Sequence, residues 1–205
     1  MDTAFLITAF ATLFVVIDPP GLIPLFIALT TGMSPEQRRT IGLRACVIAG
    51  VLLMLFGLAG ESILGFIGIS MPAFRIAGGI LLFLTALDML FERRTQRREG
   101  QHGEPDHDIS VFPLATPLIA GPGAIASMIL LVGESGGGWI GTGSVLGLLL
   151  AVLIVTYLMF LAAPPLERVL GRTGTIVITR LLGMLLAALS VQFVIDGVKG
   201  TGLIG

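Results

Sequence analysis

Asp18-Pro19-Pro20-Gly21-Leu22-Ile23-Pro24-Leu25-Phe26 stands in the middle of an apolar run that extends from about residue 3 to residue 29. As one straight helix, about 27 residues would reach roughly 40 Å, well beyond a hydrocarbon core of about 30 Å. The segment must therefore tilt or break. Its prolines supply the break, because each removes an amide donor and clashes with the turn before it. A second interruption, Thr116-Pro117-Leu118-Ile119-Ala120-Gly121-Pro122-Gly123, falls inside a later apolar run. Irregular backbone facing lipid is prohibitively costly, so at this depth it implies a protein-lined or watery cavity.

The composition agrees with a membrane reading. Of 205 residues, 55% are hydrophobic and 12% charged, about half the charged share of a soluble domain. Mean hydropathy is +1.00. A formal charge of -1 gives no basic surface for nucleic acid. Six runs are long enough to span, at approximately 3–29, 41–60, 72–91, 111–132, 144–163 and 177–198. Ser34-Pro35-Glu36-Gln37 opens the second with a capping serine, a proline in the first turn and a glutamine three residues after the cap. The first run has no basic residue before it and no cleavage site, so it reads as a retained span rather than a signal peptide. The expected fold is an all-α membrane protein: a first three-helix unit at 1–91, a polar linker at 92–110, and a second unit at 111–205.

Basic residues set orientation. Arg38, Arg39, Arg44, Arg93, Arg94, Arg97, Arg98, Arg168, Arg172 and Arg180 fall on one side, against Arg75 and Lys199 on the other. This bias predicts a cytoplasmic linker and two outer termini, periplasmic in a bacterial inner membrane.

The two units resemble one another. Glu61-x-x-Leu64-Gly65-x-x-Gly68 matches Glu167-x-x-Leu170-Gly171-x-x-Gly174, and Arg75, Gly78, Leu81, Leu84 and Thr85 match Arg180, Gly183, Leu186, Leu189 and Ser190. Pro20-Gly21 matches Pro122-Gly123 in the same order. Chance likeness between Leu-rich and Gly-rich helices is the competing account. Because each unit has an odd number of spans, true repeats would be inverted, and such repeats commonly build a transport site where they meet.

The candidate solute-binding set is Asp18, Pro19, Pro20, Gly21, Thr116, Pro117, Gly121, Pro122 and Gly123. Free amides at half-helix starts suit a carboxylate, and unwound carbonyls suit an ammonium, so a zwitterion fits both. Asp18 has three readings: it caps the half-helix after it, contacts an ion or solute, or does both. Kinked but tightly packed helices are the plain alternative for both breaks. Arg75, Asp88, Arg180 and Asp196 form a second set. Antiparallel packing of spans three and six would pair Arg75 with Asp196 and Asp88 with Arg180, while snorkelling to the headgroups explains them equally well.

Cys46 reads as a small packed hydrophobe. His102 and His107 lie in a polar loop whose spacing matches no zinc pattern. The Gly-rich stretch 132–143 reads as a connector on the outer side. No histidine lies in a span, so Ser-His-Asp or Cys-His catalysis is not expected. An enzyme is not expected, nor a cofactor or metal.

The motifs at 18–26 and 115–125 (ATPLIAGPGAI) resemble the MarC family of bacterial and archaeal inner-membrane proteins, over essentially the whole chain. The resemblance implies a relation to LysE-like exporters and, from the description of some members, transport of small neutral amino acids; it brings no firm set of ligand residues. The sequence therefore points to a secondary transporter of a small zwitterionic solute by alternating access, with H+ or Na+ as candidate coupling ions and membrane lipid around it. A structural or regulatory membrane protein, homo-oligomeric through its kinked helices, is one alternative, and an ion or metal permease another.

Overall fold

The computed structural model describes residues 2–91, 108–136 and 138–202. The helices run α1 (Thr3–Ile17), α2 (Pro19–Leu29), α3 (Pro35–Ile67), α4 (Met71–Leu90), α5 (Ser110–Ile119), α6 (Pro122–Glu134), α7 (Trp139–Leu161) and α8 (Ala163–Gly200). No strand occurs among the described residues. Five stretches are long and apolar enough to cross a membrane, and the bent pair α5–α6 makes a sixth. The linker residues Arg93, Arg94, Arg97, Arg98, His102 and His107 lie outside the described residues.

Local chemistry sets the ends of these helices. At the start of α3 the Gln37 amide donates to Ser34 Oγ at 3.3 Å, and the Ser34 amide donates to Gln37 Oε1 at 2.9 Å. The reciprocal bonds satisfy two amides that a helix start leaves open. The cap lies before the apolar run, so α3 begins at Pro35, where the capping residues put it, and closes at Gly68, whose φ of 82° favours glycine. In α8 the chain turns at Gly171 (φ 58°, ψ 178°), backbone that is essentially glycine's alone. The spanning part then runs over Thr173–Gly200, longer at both ends than the run at 177–198 suggests.

Burial separates centre from periphery. In the apolar stretch of Thr3–Leu29, 67% of residues are buried, against 28% in Met71–Leu90 and 33% in Trp139–Leu161. The longer helices turn large apolar side chains outward, among them Leu43, Val47, Leu55, Ile154, Leu158 and Leu185. A surface so apolar suits lipid, not water. The interrupted segments α1–α2 and α6 are inside: α1 and α2 pack on α7 and α8, and α6 packs on α3 and α4. The longest interface joins α4 to α8. A Cβ at Gly79 would lie 2.8 Å from the Ser190 carbonyl, and one at Gly183 would lie 3.0 Å from Met89 Cβ. Glycine lets these two backbones approach where no other residue fits.

Candidate functional site

The break in the first span occupies one residue. Asp18 has left-handed backbone (φ 56°, ψ 60°), closing α1 and opening α2. Its amide donates to the Phe14 carbonyl at 2.9 Å, and its own carbonyl accepts from the Leu22 amide at 3.1 Å. Helical bonding therefore stops and resumes at the same residue. Asp18 Oδ1 accepts from the Gly21 amide at 3.1 Å. Pro19 and Pro20 occupy the first turn, where absent amides cost least. Asp18, Pro19 and Pro20 are buried. A Cβ at Gly21 would overlap the Asp18 carboxylate, so the cap requires glycine three residues on.

The second break is longer. Asp108 precedes it: Asp108 Oδ1 accepts from the Ser110 amide at 3.0 Å and from its hydroxyl at 2.6 Å, and Oδ2 pairs with Arg44 of α3 at 3.3 Å. α5 then winds in wide turns. Leu114 donates back five residues to Ile109, and Ala120 donates back five to Ala115. Phe112 (φ -131°, ψ 126°) and Thr116 (φ -131°, ψ 124°) are extended. Each precedes a proline, and both X-Pro bonds are cis. Pro113 and Pro117 have no amide to give to an α-helical ladder. After Ala120 and Gly121 the chain re-enters as α6, bent by 56° from α5. A Cβ at Gly121 would lie 2.7 Å from the Pro117 carbonyl. No side chain caps α6, so its first-turn amides carry the positive end of the helix dipole uncovered.

The two breaks meet. A Cβ at Gly123, in the first turn of α6, would stand 3.5 Å from Val16 Cγ1, near the end of α1, and 3.3 Å from Thr85 Oγ1 of α4. One turn further into α6, Ser127 is fully buried and its hydroxyl has no hydrogen-bond partner. Thr12, also fully buried, donates to the Thr8 carbonyl at 2.8 Å. Thr116 and Pro122 are exposed and Pro117 half-buried, so they shape the bend rather than line the buried junction. Sequence reading passed over Ser127 and treated Thr85 only as a repeat position. The available signal was the four-residue spacing from Gly123 to Ser127, which puts both on one helix face.

The second set of charges rearranges. Arg75 pairs with Glu134 at the end of α6, at 3.0 Å, instead of with Asp196. Asp196 accepts from Gln192, one turn away on α8, at 2.8 Å. Glu134, read from sequence as part of a plain connector, is thus the charged partner of a helix that crosses beside it. Asp88 is half-buried on α4 and Arg180 exposed on α8; with Gly183 against Met89, both lie near one level of that helix pair. Cys46 is buried with a free thiol. Among the described residues no three of His, Cys, Asp and Glu gather as a metal site would require.

Comparison with known proteins finds relatives named as membrane proteins. The chain is 41% identical over 197 residues to a UPF0056 membrane protein of Archaeoglobus fulgidus, covering 95% of this chain and 92% of that one. It is 37% identical over 206 residues to a UPF0056 membrane protein of Methanocaldococcus jannaschii, covering 98% of each. It is also 37% identical over 198 residues to the UPF0056 membrane protein YhcE of Escherichia coli, covering 93% of this chain and 90% of that one. No solved structure matches the chain significantly. Residues 3–201 match the description "MarC family integral membrane protein", and the chain belongs to that family.

Proposed function

We propose that the protein is a secondary transporter of small neutral amino acids, working by alternating access at the junction of the two interrupted helices. The observation that carries this reading is the closeness of Gly123 to Val16, a Cβ on the first standing 3.5 Å from Cγ1 of the second, which sets the uncapped start of α6 beside the Asp18 break in the most enclosed part of the bundle. Uncapped amides favour the solute carboxylate. The hydroxyls of Thr85 and Ser127 and the Asp18 carboxylate offer acceptors for its ammonium or for a coupling H+ or Na+.

The way the two halves pack supports the reading. The first span of each unit packs on the second and third spans of the other: α1 and α2 on α7 and α8, α6 on α3 and α4. The third spans pair with each other, antiparallel, through Gly79 and Gly183. This exchange is what a two-fold axis in the membrane plane generates. The arginine distribution then assigns the Pro35 end of α3 to the cytoplasm and both termini to the periplasm of a bacterial inner membrane.

The test is counterflow of labelled alanine, glycine and serine in liposomes holding the purified protein. Saturable exchange, reduced by Asp18→Asn, is expected; no exchange across the panel removes the proposal. A second reading rests on Asp18 Oδ1 and its bond to the Gly21 amide: the carboxylate only builds the kink of a scaffold protein. On that reading Asp18→Asn lowers stability and no solute flux exists to be changed.

A further inference from the structure

A cavity of about 170 Å³ opens at the Pro35 end of α3, among α2, α3, α7 and α8. Its walls include Phe26, Met33, Phe160 and Leu161, and two guanidiniums, Arg38 and Arg39, stand at it; none of its lining residues is a carboxylate. Phe26 and Phe160 are stacked, with ring centres 4.3 Å apart and planes 11° from parallel, and both are buried. They give the cavity a rigid apolar wall. Arg38 is held in place by its Nε, which donates to the Thr30 carbonyl at 3.2 Å, and this leaves its two terminal nitrogens for a further acceptor. Arg39 is exposed. Glu36, one turn before it, is fully exposed, and its charge faces Arg39. The first turn of α3 adds the positive end of a 33-residue helix.

Depth decides what such a cavity meets. Ser34-Pro35-Glu36-Gln37-Arg38-Arg39 is polar, and the apolar part of α3 starts at Ile41, so the arginines lie where a bilayer changes from hydrocarbon to headgroup. Two cations over an apolar wall, Arg38 held by its bond to Thr30 and Arg39 exposed beside it, match a phosphate joined to acyl chains. They disfavour a headgroup that carries its own ammonium.

We propose that this cavity is a binding site for the phosphate of one anionic phospholipid, held by Arg38 and Arg39 with its glycerol and upper acyl chain along Phe160 and Leu161. The site is separate from the helix junction and does not depend on transport. Native mass spectrometry of the purified full chain, with equal phosphatidylglycerol and phosphatidylcholine added in detergent, tests it. The expected result is one retained phosphatidylglycerol in excess over phosphatidylcholine. Its affinity, read from a titration of the lipid, should fall roughly thirty-fold in Arg38→Gln with Arg39→Gln, as the loss of two basic residues at a membrane surface implies. Since Arg38 also ties α3 to Thr30, Met33→Trp provides a second variant that keeps both arginines, fills the cavity and should also shed the lipid. Equal retention of the two lipids, or retention unchanged in both variants, overturns the proposal. Equal retention of free glycerol 3-phosphate overturns the lipid assignment in favour of a soluble phosphate.

Discussion

The first and second interruptions solve one problem in opposite ways. In the first span a single residue, Asp18, turns left-handed, caps the helix it opens and lets the ladder resume at once. In the fourth span the chain needs the ten residues of α5 and bends by 56°, and no side chain covers the start of α6. Both stop a helix in the middle of a bundle. Only the first places a carboxylate against an amide of the helix it opens, and the start of α6 is left with its dipole uncovered. The likeness between Pro20-Gly21 and Pro122-Gly123 is thus a likeness of position, and the chemistry at the two sites differs.

The largest expected effect falls on the self-capped break. Asp18→Ala removes the acceptor of the Gly21 amide in a fully buried place and should cost about 1–3 kcal/mol, the usual price of stranding a buried donor. Thermal unfolding in detergent should show the loss, and Asp18→Asn, which keeps a carbonyl oxygen for the amide, should recover much of it. Full recovery of stability with lost solute exchange would separate capping from transport. An unchanged melting temperature in Asp18→Ala would show that the cap contributes nothing and that the contrast between the two breaks is not energetic.

The second break should respond to bulk rather than charge. Gly121→Ala drives a methyl to 2.7 Å from the Pro117 carbonyl, and shifting that backbone should cost about 1–3 kcal/mol. The bend should open as it does so. Distances between spin labels placed on the exposed residues Val111 and Trp139 would report the change while leaving the first break as an internal reference; an unaltered distance with unaltered stability would mean that α5 yields without strain.

Sequence and structure agree most closely where local rules operate. The capping box at Ser34 and Gln37, the prolines in first turns and the apolar runs concern residues within a turn of each other, and each is legible in order along the chain. Glu134 as the partner of Arg75 was not legible, because 59 positions separate them in sequence (134 − 75) and only the packing of α6 on α4 joins them. The same holds for the junction itself: the prolines lie in order along the chain, but that the start of α6 lies beside the end of α1 follows from how the helices pack. The cavity escaped notice because Phe26, Met33, Arg38 and Phe160 come from three helices and a connector.

A smaller effect should follow from the pair of Arg75 and Glu134. Arg75 and Glu134 are partly buried, with side chains 22% and 27% exposed, so separating them should cost more than the ~0.2–1 kcal/mol of an exposed pair. Glu134→Gln should lower the melting temperature of the purified protein, and Arg75→Glu combined with Glu134→Arg should regain part of it. Failure of the exchange to regain any stability, beside a rescue by Arg75→Asp with Asp196→Arg, would return the pairing to the one expected from sequence.

The smallest effect belongs to the polar approach to the second break. Asp108 accepts from the Ser110 hydroxyl and amide and faces Arg44, and these hold its carboxyl below the usual carboxylate range. A carboxyl depressed by folding stabilises the fold above its unfolded value of about 3.9 and loses that contribution as pH falls through the lower folded value. Asp108→Asn should therefore melt slightly below the wild type at pH 7, and the gap should close on acidification below about pH 4. The difference should stay under about 1 kcal/mol, because the pair is exposed, with side chains 62% and 42% accessible, and water and salt screen it. A gap that persists undiminished at low pH would assign the effect to the hydrogen bonds with Ser110, which a neutral carboxyl can partly retain, rather than to the charge. In that case the fold holds the entrance to α5 as it holds Asp18, by capping, and the two breaks differ less than their lengths suggest.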